Sequence, residues 1–343
     1  RKKMIKLNNA QFLFISLIVG SILSFFGGVI FDCYKSPSNL GDDQEKGEVA
    51  ETCRIVAAMR ALDSTRNSSY KNVDPLSEYL AGEEIMRMVK TEYPNLFDLR
   101  PYYDYLGGIA IRGLAIEGRI MNKSSEVKQI VVVGAGMDTR PYRLDLPNIR
   151  WFEVDMPEVL DLKKKLIENT PKELKKHVKK MKVKSLTSVK INLKGHLLDL
   201  IPTMEKQGFD KNLPTIYIME GFVPYLTIQE LKILFNEIPR VKGSRIIATV
   251  VTFATRKLLV NPFIRYLFTK ILNIYTYDKM APLWQNDVFS ISFSNAFLPW
   301  KVEKSINMGT EMYLNKKISL PKTKFSFLLN PTRTIEDIYD LVP

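Results

Sequence analysis

Residues Lys128 to Asp155 restrict the folds open to this chain more than any other stretch. Ile130-Val131-Val132-Val133 is an unbroken β-branched run ended by Gly134-Ala135-Gly136. That is the pattern of a parallel strand buried on both faces, whose ladder stops where glycine lets the backbone turn sharply. It predicts an α/β, Rossmann-like fold. About 20 residues beyond the glycines, Trp151-Phe152-Glu153-Val154-Asp155 ends in a carboxylate, the spacing from which a carboxylate reaches a ribose hydroxyl. The two strand ends together predict a nucleoside site.

Two cofactor classes compete for such a site. A dinucleotide fold seats pyrophosphate on a helix N-terminus and usually has a third glycine, where this chain has Thr139 with Asp138 beside it. A carboxylate there repels phosphate. S-adenosylmethionine carries no phosphate, and its ammonium, carboxylate and sulfonium accept mixed charge, so a methyl donor is expected over NAD.

The run Gly134-Ala135-Gly136-Met137-Asp138-Thr139-Arg140-Pro141-Tyr142-Arg143-Leu144, followed by Phe152-Glu153-Val154-Asp155-Met156-Pro157-Glu158-Val159-Leu160, resembles the leucine carboxyl methyltransferase family. The resemblance covers roughly Glu51 to Val251. The Asp138-Thr139-Arg140 variant leans toward its bacterial-type branch rather than the phosphatase-directed enzyme. The resemblance implies a class I methyltransferase sheet under a cap of N-terminal helices. It also implies that Arg112, Gly134, Gly136, Asp155, Asn192, Leu193 and Glu220 hold S-adenosylmethionine, with Arg112 on the donor carboxylate. A guanidinium fork suits that task because it binds a carboxylate bidentately at any working pH. Arg60 and Tyr225 are implied as catalytic residues that place the acceptor. A helix-surface arginine and a core tyrosine are the alternative readings of these two. The family usually has Asp-Leu where this chain has Asn192-Leu193, and asparagine keeps an acceptor but loses the charge.

Of the 343 residues, 45% are hydrophobic and 25% charged, enough for one large globular unit plus an appendage. Cys33 and Cys53 are too few for a disulfide framework, and there is no Cys/His cluster of metal-ligand spacing. His177 and His196 read as solvated surface. Between Lys6 and Asp32 no residue is charged, and Phe, Leu, Ile and Val dominate. A helix of that length crosses a bilayer, so residues 1–34 are read as an anchor spanning the membrane at 7–31, in preference to a cleaved signal peptide. Arg1, Lys2, Lys3 and Lys6 precede the span and acidic residues follow it, which puts the N-terminus in the cytosol or matrix. An endomembrane or the mitochondrial inner membrane is the expected location.

Residues 35–50 read as a polar linker and 51–343 as the methyltransferase-like unit. Within it, 51–125 form the cap, 126–252 the central sheet, and 253–343 a lid and closing strands. Ser188 to Leu193 is expected as the third strand, Thr215 to Met219 as the fourth and Ser244 to Val251 as the fifth. Thr227 and Glu230 have the spacing of a capping box. Leu258 to Tyr277 could be a lid, a membrane-surface helix or ordinary core. Trp300-Lys301-Val302 and Phe325-Ser326-Phe327 suit antiparallel strands. From Lys163 to Lys194 there are twelve lysines against Glu168 and Glu173. This reads as a solvated face, with anionic lipid as the functional alternative. Nucleic acid is disfavoured because no aromatic residue interleaves the lysines.

Methyl transfer to a carboxylate needs no general base, because the acceptor is already an anion, so the lack of a placed histidine is no objection. The expected activity is therefore a membrane-anchored, S-adenosylmethionine-dependent O-methyltransferase acting on a carboxylate of a protein or small molecule. The rival is an accessory subunit of a membrane protein complex that keeps the fold with weak or no turnover.

Overall fold

In a computed structural model of the chain, residues 42–65, 73–98, 105–179, 181–251, 297–307 and 336–343 are described. The expected membrane stretch 7–31, the segment 258–277 and Phe325-Ser326-Phe327 lie outside them. Among the described residues no helix is long and apolar enough to cross a membrane.

The apolar runs form a central parallel sheet. Strands β1 (Gln129–Val133), β2 (Leu146–Asp155), β3 (Val183–Lys190), β4 (Thr215–Met219) and β5 (Arg245–Val251) pair in parallel in the order β3-β2-β1-β4-β5. Strand β6 (Lys301–Asn307) and β7 (Glu336–Val342) complete the seven-stranded sheet, with β7 antiparallel to both β5 and β6. This is a mixed α/β, methyltransferase-like fold. The pleat sends Val131, Val133, Phe152, Val154, Tyr217 and Met219 to one core layer. Ile130, Val132, Trp151, Ile216 and Ile218 go to the other. Alternate residues are thus buried on opposite faces, which is why these strands read as continuous apolar runs.

Two expectations need correction. The third strand occupies Val183–Lys190, so Asn192 and Leu193 follow it. It lies at the sheet's edge with Lys184 and Lys190 exposed, a charged edge that discourages further pairing but hides the apolar signal. The polar stretch expected as a linker is helical from Asp42, where helix α1 (Asp42–Thr65) begins.

Helices α2 (Ser77–Ala81), α3 (Glu83–Asp98) and α4 (Tyr105–Lys123) complete the cap. Ile55, Ala57, Ala58, Met59 and Ala61 of α1 join Leu80, Ile85, Val89, Ile109 and Met137 in a third apolar cluster. The small alanines let neighbouring helices approach closely, and Met137 ties this cluster to the glycine turn after β1. After β1 comes only the one-turn helix α5 (Arg140–Arg143), and after β2 the longer α6 (Pro157–Glu168). The short α7 (Lys175–Val178) leads into β3 and α8 (Leu200–Glu205) precedes β4. Helix α9 (Ile228–Glu237) starts with the expected capping box of Thr227 and Glu230.

Candidate active site

The glycine turn and Asp155 are locked to each other at the carboxyl ends of β1 and β2. Gly134 (φ 73°) and Gly136 (φ 47°) lie in the left-handed region, which suits glycine. The N–H groups of Gly134 and Ala135 donate to the Val154 carbonyl at 2.9 and 3.1 Å. Asp155 accepts from the Gly136 N–H through Oδ2 and from the Met156 N–H through Oδ1, both at 2.7 Å. Its carboxylate is therefore fixed at the turn. Burial pushes the Asp155 carboxyl above its ordinary range, although those two N–H groups and Lys163 pull the other way. Close approach also explains the glycines: a Cβ at Gly134 would stand 2.6 Å from the Phe222 ring, and one at Gly136 would stand 3.2 Å from Cys53 Sγ.

A second cluster centres on Glu220, at the end of β4. Arg112 of α4 donates through Nε to Glu220 Oε1 at 2.8 Å. Arg140 donates through Nη2 to Glu220 Oε2 and, at 3.2 Å, through Nη1 to Asp138 Oδ2. Burial alone would raise the Glu220 carboxyl, but the charges of Arg140, then Arg112 and Arg60, outweigh it and hold it well below the usual carboxylate range. The network runs on into the cap. Arg143 donates through Nη2 to Glu117 at 2.6 Å and through Nε to Thr139 Oγ1 at 2.9 Å, while Thr139 donates to Asp74 at 2.7 Å. Gly221 has φ 63°, a left-handed conformation that suits glycine, and a Cβ there would only touch Arg112 Nη1 at an ordinary 3.5 Å.

The expected site residues fall into distinct places. Arg112 and Glu220, predicted to hold one ligand together, are each other's partners. Arg60 is buried, donates to the Met137 carbonyl and lies 3.6 Å from Asp74 Oδ2, which excludes the helix-surface reading. Its charge reaches Glu220 and its helix carries Cys53, so it connects the two clusters. The Ile191 N–H donates to the Asp155 carbonyl at 2.9 Å, which brings Asn192 beside the end of β2. The Asn192 amide oxygen accepts from the Lys194 N–H at 3.0 Å, closing its own turn, and Leu193 is buried in the core. Tyr225 is half-buried in a short turn of 3-10 helix, Val223–Tyr225. His196 is exposed beside Asp199, as expected, while His177 is half-buried.

Sequence reasoning gave no role to Arg140, Arg143, Glu117 or Phe222. Arg140 and Arg143 sit inside the Gly134–Leu144 run and Phe222 two residues after Glu220, and that is the available signal; Glu117 leaves none. Lys163 corrects the solvated-lysine reading at its first position, because it is buried against Glu153 at 2.6 Å.

Asp138 turns back on its own helix start, accepting from the Arg140 N–H at 2.9 Å and from the guanidinium at 3.2 Å, a cation it shares with Glu220 and Glu117. The glycine turn leads only into the one-turn α5 (Arg140–Arg143), a weaker seat for pyrophosphate than the long helix a dinucleotide fold places there.

The sequence matches the family described as leucine carboxyl methyltransferase over residues 54–239, more than half of the chain. The chain belongs to this family. A relative in Mycolicibacterium vanbaalenii, named "Putative S-adenosyl-L-methionine-dependent methyltransferase", is 32% identical over 128 residues, 36% of this chain and 40% of that protein. One of the same name in Mycobacteroides abscessus is 28% identical over 215 residues, 58% of this chain and 63% of that protein. The matches therefore span less than two thirds of these relatives, which belong to the bacterial-type branch of the family. Among solved structures, a DUF574 family protein from Streptomyces avermitilis aligns with TM-score 0.44 and 14% identity over 84% of this chain and 97% of its own. The plantazolicin methyltransferase BamL, solved with SAH, aligns with TM-score 0.41 and 11% identity over 84% and 96%.

Proposed function

We propose that the chain is an S-adenosylmethionine-dependent O-methyltransferase acting on a carboxylate. The observation that carries this reading is the pairing of Arg112 with Glu220 in front of Gly221, at the end of β4 next to the glycine turn. In open α/β sheets ligands settle outside the carboxyl ends of the strands where the order reverses, here between β1 and β4. The residues fit the donor: Asp155 would accept ribose hydroxyls, Arg112 would take the methionine carboxylate, Glu220 the ammonium, and Asn192 with Leu193 would border the adenine. When bound, the donor supplies an electrophilic methyl carbon on a sulfonium.

The protein's own task is then to hold and desolvate. An acceptor carboxylate is already anionic, so no side chain need remove a proton, and alignment with exclusion of water supplies the rate. Arg60, buried between the clusters, is the candidate for orienting the acceptor, with Tyr225 as a candidate wall of the pocket. The acceptor as a carboxylate, and a membrane anchor at 7–31 in an endomembrane or the mitochondrial inner membrane, belong to the same proposal.

Titration calorimetry with S-adenosylhomocysteine tests it. Micromolar binding is expected for the wild-type chain, with at least a hundredfold loss in Asp155→Ala. No binding at millimolar ligand would refute it. A second reading is an accessory protein that binds the donor weakly. It is favoured by the Asn192 amide oxygen being engaged with Lys194, which leaves the adenine amino group a poorer acceptor. On that reading Asn192→Asp should tighten binding about tenfold, the value of one charge-assisted hydrogen bond over a neutral one.

A further inference from the structure

Lys163 opens the lysine-rich run, yet unlike its neighbours Lys164 and Lys165 it is buried. Its Nζ donates to Glu153 Oε1 at 2.6 Å, with the two side chains 4% and 2% exposed. Glu153 stands two residues before Asp155, so the pleat puts both carboxylates on one face of β2. Burial at this depth opposes ionisation of each, and a Lys–Glu pair here gains little for stability alone, because desolvation offsets the Coulomb attraction.

The groups around this face come from every side. Cys53 and Arg60 approach from α1, Asp138 from the glycine turn, Tyr142 from α5 and Lys163 from α6. Burial raises the Glu153 and Asp155 carboxyls above their ordinary range; Lys163 is the first group that lowers Glu153, and at Asp155 its charge adds to the pull of the Gly136 and Met156 N–H groups. The Cys53 thiol, raised by burial and by Asp155, stays protonated and adds no charge.

We propose that Lys163 is a positioning residue for nucleoside binding: its ammonium is the shared counter-charge that lets Glu153 and Asp155 be ionised together. The Asp155 carboxylate then remains able to accept both hydroxyls of a ribose. The inference rests on the reading of Asp155 as a ribose ligand. Without the ammonium, the two carboxylates compete for one proton, and each time Asp155 takes it an acceptor oxygen becomes a donor.

The test is calorimetric binding of S-adenosylhomocysteine to the full chain between pH 6 and pH 9, with wild type as reference for the ligand's own titration. Lys163→Met is expected to bind tenfold or more weakly than wild type at pH 6 and to recover by pH 9. Its slope should approach about tenfold per pH unit, the signature of one proton released on binding. Glu153→Gln, which leaves Lys163 to Asp155 alone, should bind at pH 6 at least as well as wild type. Glu153→Gln/Lys163→Met should move back toward the wild-type profile. A Lys163→Met chain with the wild-type profile overturns the proposal. If that variant does not fold, a Glu153→Gln chain that loses affinity selectively at pH 6 overturns it equally. Wild-type chain that binds nothing at any pH overturns the donor reading and this proposal with it.

Discussion

At Gly134 one missing Cβ serves two requirements at once. The backbone is left-handed, and the Phe222 ring occupies the space where a side chain would begin. Gly134→Ala should therefore destabilise the protein by more than the ~1–2 kcal/mol of left-handed strain. In a Phe222→Leu background the same change should be milder by about 1 kcal/mol, a coupling measurable by urea unfolding of the four-member cycle. Equal losses in both backgrounds would mean that the ring yields freely. The glycines and Asp155 were legible in the sequence because their roles are set by local spacing along two strands. Arg140 and Lys163 were not, since what defines them is a partner far away in sequence. Glu220 lies 80 positions from Arg140, and nothing in a run of three lysines marks the first as buried.

Secondary-structure elements repeat that contrast. Strands β1, β4 and β5 were legible to within a residue as runs buried on both faces, whereas β3 was misplaced because an edge strand carries lysines that dilute its pattern. The last strand could not be placed from sequence at all. Glu336–Val342 is rich in acids, and its membership of the sheet depends on contacts with β5 and with α4. Asp340 takes both of its oxygens to Arg119 Nε of α4, at 2.8 and 2.9 Å, with side chains 11% and 13% exposed. A shielded contact of this kind should couple the cap's long helix to the closing strand. A double-mutant cycle of Arg119→Ala and Asp340→Ala is expected to give about 1–2 kcal/mol, and a value near zero would leave β7 held by its ladder alone.

For the molecule as a whole, cap and sheet are joined through buried charge rather than through apolar contact alone. Arg60, Asp74, Arg112 and Glu117 come from the cap or its connections, while Asp138, Arg140, Arg143 and Glu220 come from the strand ends. Glu220→Gln removes the charge at the centre, leaves buried guanidinium groups short of a partner, and should cost about 3–5 kcal/mol in global unfolding. The pH dependence follows from the depressed Glu220 carboxyl. Its stabilisation is fully present above the unfolded-state value of about 4.3 and is lost only as pH falls toward the lower folded value. The stability gap between wild type and variant should thus be flat above about pH 5 and close in stronger acid. A gap that changes near neutrality would assign the effect to another group. The single turn of α5 after β1 has a broader consequence. With only one turn of helix following the glycine turn, main-chain polarity at that point does little to choose the guest, and more of that choice is left to a handful of replaceable side chains. Scaffolds built this way can be retargeted by point changes that leave their architecture untouched.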